Sequence, residues 1–201
     1  EEYDDAQEQS AWLDFLNRFT EIALGCCRYV VVNVQSLAGN RTALPEWWSN
    51  FKDCYCDVAI WDKGGAPPAA AERVMNSRFE FLFFLSKENQ NRAIRTADFR
   101  GTVDNVYCAP PQRKNESSSI HGATFPLHLP TWIIQTFGGQ SLYDPFGGYG
   151  TTLIACERLG RRCMMMDIET SYVSVILDRW SKEPGKDPIL EDGMLWCKLN
   201  Q

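Results

Sequence analysis

The chain has 201 residues, 44% of them hydrophobic, and a formal net charge of −6. That size supports one well-filled core and a single domain spanning 1–201. No apolar run approaches the roughly 18–20 residues that a membrane span requires, and the acidic, polar start is no secretory signal. The expectation is therefore a soluble, cytoplasmic protein, monomer or homodimer, with no membrane partner.

The charge is unevenly spread. Residues 1–25 hold seven acids and one base and carry the whole net charge, which leaves the remainder neutral. Between Lys87 and Lys114 six bases face three acids, a local +3. A modest basic strip on a neutral body is compatible with phosphate contacts. The eight cysteines form no CxxC pair, and only His121 and His128 are present as further ligands. Reduced, largely buried thiols are expected, and no metal.

In chain order, Trp12–Leu24 places Trp12, Leu13, Leu16, Phe19, Ile22 and Ala23 at helical spacing, after Ser10 as a cap and before Gly25 as a stop. Arg28–Val34 is a β-branched run suited to a buried strand. Ala43–Phe51 reads as a short helix entered through Pro45. Cys56–Trp61 and Phe79–Ser86 read as strands, separated by a Gly/Pro/Ala loop. Glu88–Ser119 is polar and reads as irregular surface. A helix is expected at Leu127–Phe137, a strand at Ser141–Asp144, a helix at Thr151–Leu159, a strand at Cys163–Asp167 and a helix at Ser171–Trp180. This succession is a parallel βαβ unit and places the chain in the α/β class.

The turn inside that unit reads Tyr143-Asp144-Pro145-Phe146-Gly147-Gly148-Tyr149-Gly150-Thr151-Thr152. Three glycines in four positions let the main chain turn sharply and approach a ligand closely. Such turns stand at the carboxyl edge of a parallel sheet, where open α/β folds bind ligands. Asp167 ends the next strand and is placed to accept hydrogen bonds from both hydroxyls of a ribose. The dinucleotide fingerprint G-x-G-x-x-G is not met.

The stretch DPFGGYGTTLIACERLGRRCMMMDIETSYVSVILDRW resembles the DPFxGxGTTxxAxxxxGRxxxGxExxxxY motif of the DNA amino-methyltransferases. In that family the turn wraps the methionine part of S-adenosylmethionine and the acid holds its ribose. The resemblance gives the cofactor role to Asp144, Pro145, Phe146, Gly147, Gly148, Gly150, Thr151, Thr152 and Asp167. Asp167 departs from the pattern, standing for the commoner Glu. His121-Gly122-Ala123-Thr124-Phe125-Pro126 resembles the family's HxAxFP entry to its cofactor-pocket helix, adding His121, Phe125 and Pro126. LGCCRYVVVNV, AIWDKGGAPP and RFEFLFFLSK resemble the strands of the catalytic half.

With the catalytic half first, the motif order is that of the permuted, beta class. The implied fold is a Rossmann-like methyltransferase sheet, mostly parallel with an antiparallel strand and helices on both faces. Residues 1–87 form its catalytic side without the first strand, 88–120 a short target-contact region and 121–201 the cofactor half.

The family's amino-group chemistry uses a (D/S)PP(Y/W) tetrapeptide. Its polar side chain and proline carbonyl accept hydrogen bonds from the exocyclic amine while the aromatic stacks on the flipped base. Only Gly65-Ala66-Pro67-Pro68-Ala69 and Ala109-Pro110-Pro111-Gln112 come near it. The expectation is that the tetrapeptide precedes Glu1, on a strand between those of Arg28–Val34 and Ser141–Asp144. On the substrate side, Trp61, Lys63, Arg92, Arg95 and Arg113 are the candidates. The implied activity is methyl transfer from S-adenosylmethionine to cytosine N4 or adenine N6 of DNA, with the HxAxFP form leaning to cytosine. The alternative is a silent or split cofactor-binding homologue that needs another segment or chain.

Overall fold

The computed structural model describes residues 9–65, 72–88, 94, 101–111, 125–183 and 187–196. They fall into two compact units. The first covers Glu1–Arg95 and Phe99–Pro110, the second Thr96–Asp98 and Pro111–Gln201.

The first unit starts with α1 (Gln9–Cys26), followed by β1 (Val30–Val34), α2 (Ala43–Asn50), β2 (Tyr55–Asp62), β3 (Phe79–Leu85) and β4 (Val106–Cys108). The sheet order is β1-β3-β2-β4. β3 runs antiparallel to both of its neighbours, with Val32 opposite Phe83 on one side and Val58 opposite Phe83 on the other. β4 is parallel to β2. It lies in the stretch expected to be irregular, where a strand of three residues is too short for its alternation to register. Helix α1 starts ahead of its expected Ser10 cap and runs past Gly25 to Cys26. Leu16, Thr20, Ala23 and Leu24 form its buried face, and helical hydrogen bonding carries it past Gly25, with Cys27 N–H donating to the Ala23 carbonyl at 2.8 Å.

Trp47 is the centre of this unit. It is fully buried, meets Phe83 edge-on at 5.2 Å and Phe51 at 6.0 Å, and donates its indole N–H to Thr20 Oγ1 at 3.0 Å. Thr20 in turn donates to the Leu16 carbonyl at 2.7 Å, so the buried polar atoms here are paired. Leu16, Leu24, Val30, Val32, Leu44 and Leu85 close the same core.

The second unit contains α3 (His128–Phe137), β5 (Ser141–Asp144), α4 (Thr151–Arg158), β6 (Arg162–Met165) and α5 (Thr170–Ser181). β5 and β6 form a two-stranded parallel sheet in which Ser141 faces Arg162 and Asp144 faces Met165. Ile134, Ala155 and Cys156 are its buried centre, with Leu127, Leu142, Leu159 and Cys163 packed around them. Among the described strands β1 pairs only with β3, and β5 only with β6. The seven described cysteines are free thiols.

Candidate functional site

The end of β5 and the start of α4 frame the glycine turn. Beyond the strands the pairing continues: Met166 N–H donates to the Asp144 carbonyl at 3.1 Å and Gly147 N–H to the Met166 carbonyl at 2.9 Å. The turn closes on itself through Gly150 N–H to the Gly147 carbonyl at 2.7 Å. Gly150 then caps α4 in the left-handed region, at φ 73° and ψ 22°. A Cβ there would lie 3.0 Å from Ile176 of α5, and one on Gly147 would lie 2.9 Å from Met165. Glycine at both positions lets the turn lie flat on β6 and α5.

Two carboxylates stand at this edge. Asp167 lies two residues beyond β6, and its two oxygens each accept a backbone N–H: Oδ2 from Gly148 at 2.6 Å and Oδ1 from Glu169 at 2.9 Å. A carboxylate has about four acceptor positions, so each oxygen keeps one for a ligand hydroxyl. The acid therefore positions the turn and remains able to take a vicinal diol. Asp144 accepts the Phe146 N–H at 3.0 Å. Burial pushes its carboxyl above the usual range, and the neighbouring Asp167 charge adds to this, while the Thr152 hydroxyl and the Phe146 N–H oppose it. A desolvated carboxylate under this penalty gains most from a cationic ligand group.

Apolar surface flanks the polar edge. Phe146 is 52% exposed and Ile168, directly after Asp167, is 82% exposed. Pro126 is buried and Phe125 partly so at the entry to α3, whose first turn begins with Leu129 N–H donating to the Pro126 carbonyl at 3.1 Å. The second unit thus gathers Asp144 to Thr152 and Asp167 into one turn, while His121 lies outside the described residues. Sequence reasoning missed Ile168, although an apolar residue inside the polar run Asp167-Ile168-Glu169-Thr170 is a readable signal. It also missed Arg179, which nothing local announces.

The substrate-side candidates of the first unit are engaged in internal contacts. Trp61 is 3% exposed and gives its indole N–H to the Ala109 carbonyl at 2.8 Å. Lys63 pairs with Glu80 at 2.7 Å and sits 5.6 Å from the centre of the Trp61 ring. These contacts hold the end of β2 against β3 and the segment after β4. Arg92, Arg95 and Arg113 lie outside the described residues.

Residues 1–178 match the DNA methylase family of N6/N4 methyltransferases. The chain belongs to that family. Among curated relatives, the type II methyltransferase M.Cfr9I of Citrobacter freundii is 29% identical over 136 residues, 62% of this chain and 43% of that protein. M.SmaI of Serratia marcescens is 25% identical over 134 residues, 60% of this chain and 44% of that protein. The matched region thus spans less than half the length of these relatives.

Solved methylases share the fold. The PvuII cytosine-N4-specific DNA methyltransferase superposes with a TM-score of 0.68 at 17% identity, over 92% of this chain and 76% of that chain. A DNA modification methylase of Thermus thermophilus, solved with S-adenosyl-L-methionine, gives a TM-score of 0.64 at 20% identity, over 88% of this chain and 80% of that one. The mixed α/β methyltransferase fold read from the sequence is the fold of the chain.

Proposed function

We propose that the turn from Tyr143 to Asp167 binds S-adenosylmethionine and serves methyl transfer to an exocyclic amino group of DNA, cytosine N4 or adenine N6. The observation that carries this reading is the Asp167 carboxylate, which holds the Gly148 N–H at 2.6 Å and keeps acceptor positions open beside it. The family and the solved relative with S-adenosyl-L-methionine support it.

The residues fit the cofactor chemically. Asp167 would take the ribose hydroxyls, and Asp144 the cationic end of the methionine moiety. The exposed side chains of Phe146 and Ile168 would cover apolar or aromatic surface of the ligand. When bound, the cofactor supplies a methyl group on a sulfonium, a carbon already activated toward a neutral amine. What this chain contributes is orientation: the two carboxylates, each held by an N–H of the turn, fix where the ligand lies. His121, Phe125 and Pro126 are assigned to the same pocket from the segment that leads into α3.

On the acceptor side no (D/S)PP(Y/W) tetrapeptide occurs in the 201 residues. Cofactor binding is accordingly proposed for these residues, and transfer for the protein that also supplies the tetrapeptide. DNA is the proposed partner, with Arg92, Arg95 and Arg113 as phosphate contacts; Trp61 and Lys63, engaged with Ala109 and Glu80, would serve the substrate side only by holding the end of β2. Among the described residues no helix is long and apolar enough to cross a membrane.

The test combines calorimetric titration with S-adenosylmethionine and transfer of labelled methyl to unmethylated DNA, followed by nucleoside analysis. Saturable binding that Asp167→Ala abolishes is expected, with label in methylcytidine or methyladenosine when the protein that also supplies the tetrapeptide is assayed. Wild-type binding by Asp167→Ala, or binding of NADH alone, would overturn the reading.

A further inference from the structure

Helix α5 packs behind the glycine turn beside Met165 of β6. Ile176 of α5 is the side chain that a Cβ at Gly150 would strike at 3.0 Å, and it also lies 3.1 Å from a Cβ built at Gly147. Arg179 follows three residues later, which puts it on the same helix face one turn along. Its guanidinium carbon lies 4.2 Å from the centre of the Tyr149 ring. Its Nη1 donates to the Tyr149 carbonyl and reaches Thr151 Oγ1 at 3.4 Å. Burial pulls the guanidinium below its usual range, with Tyr149 working against that pull.

We infer that Arg179 is a positioning residue for the cofactor turn, acting through the ring and carbonyl of Tyr149; the inference rests on the cofactor reading of that turn. Two consecutive residues are held from opposite ends of the unit's chemistry. Asp167 takes the Gly148 N–H, and Arg179 takes the next residue's carbonyl. Between them they fix the peptide planes of a segment whose Gly148 and Gly150 sit at φ 49° and 73°, where the backbone has many alternatives. Without the Arg179 hold the turn samples those alternatives, and a ligand must bear the cost of ordering it.

Arginine suits this post for a geometric reason. A planar guanidinium stacks on the ring while its edge donates to the carbonyl, whereas a lysine ammonium provides the charge and one donor direction without the stack. The Tyr149 ring is thus the half of the contact that makes Arg179 useful here.

The test titrates the folded protein with S-adenosylhomocysteine and S-adenosylmethionine for Arg179→Met, Arg179→Lys, Tyr149→Leu, Tyr149→Phe and the Met/Leu double variant, with Asp167→Ala as the control. Loss of a partly buried charge-assisted bond and its stack is expected to weaken binding by about tenfold to a hundredfold in Arg179→Met. Arg179→Lys recovers part of this loss, Tyr149→Phe binds as wild type, and the double variant is no worse than the weaker single one. In a transfer assay with the protein that also supplies the tetrapeptide, the KM for the cofactor rises while kcat holds. Wild-type affinity in both Arg179→Met and Tyr149→Leu, with Asp167→Ala unable to bind, would overturn the role of Arg179 alone. Additive losses in the double variant would overturn the pairing with Tyr149. Wild-type binding by Asp167→Ala would instead remove the cofactor reading beneath it. Should Arg179→Met fail to fold, Tyr149→Leu and Arg179→Lys decide the question.

Discussion

The two units divide their resources differently. The first buries large aromatic and branched side chains, Phe83 and Leu85 around Trp47 and Leu82 and Phe84 on the other face of β3, all four all but inaccessible. The second builds a two-stranded sheet whose Tyr143 and Met164, neighbours in register, stay exposed. A two-stranded sheet is weak by itself, and the described buried apolar side chains of this unit are, prolines aside, Leu129, Ile134, Phe137, Ile154, Ala155, Cys156 and Ile176. The largest buried side chains lie in the first unit, and the carboxylates with open acceptor positions lie in the second. Proteins commonly keep ligand-binding turns at the less stable end of their range.

Truncating the first core tests this contrast most severely. Trp47→Ala removes a fully buried indole that two aromatic rings contact. It should cost about 3–5 kcal/mol in denaturant unfolding. The affinity of the remaining folded protein for S-adenosylmethionine should change little; a comparable loss of affinity would erase the distinction between the units.

Gly150→Val attacks the other side. It forces a branched side chain into φ 73° and against Ile176, at about 1–2 kcal/mol for the backbone alone. Here cofactor affinity should fall by more than the stability change accounts for, as read by calorimetry beside thermal unfolding.

Asp144→Asn sharpens the contrast through pH. Because the folded-state carboxyl is raised, the protonated form is the one the fold prefers. Stability from this group is full below the unfolded pKa and declines as pH rises through the folded value. The Asn variant should unfold at a higher temperature than wild type near neutrality, and the gap should close toward acid. Cofactor affinity should fall in the same variant. A stability gap independent of pH would show that the carboxyl charge is not its source.

The smallest effect belongs to the first unit's surface. Arg78 holds Asp62 through two contacts of 2.6 Å, and these lower its carboxyl to about 2. The pair's contribution is present above the ordinary carboxylate range and is lost as pH falls through about 2. In Arg78→Met the Asp62 titration followed by NMR should move up toward its ordinary value of 3.8, with little change in unfolding at pH 7.

Most elements are legible in the sequence because their patterns are long or chemically rich. The strand at Ser141–Asp144 matches its expected bounds to the residue, and α3, α4 and α5 match theirs to within one residue at each end. What escapes is short or overridden. β4 spans three residues, and α1 runs one residue through its Gly25 stop because the helical hydrogen bonding continues, Cys27 N–H donating to the Ala23 carbonyl at 2.8 Å. In the site, Asp144, the glycines and Asp167 are readable since their residue types and spacing carry the mechanics of the turn. Ile168 is readable in principle, and its exposure marks it out.

The sequence by itself determined the α/β class, the glycine turn and the acid beyond the second strand, because each depends on contacts within a few residues or on residue type alone. Only the tertiary structure decided that Trp61 and Lys63 spend their polar groups inside the first unit. It alone brought Arg179 under Tyr149 from 30 residues away. Side-chain pairing across that separation depends on how α5 packs against the turn, and no local periodicity encodes it.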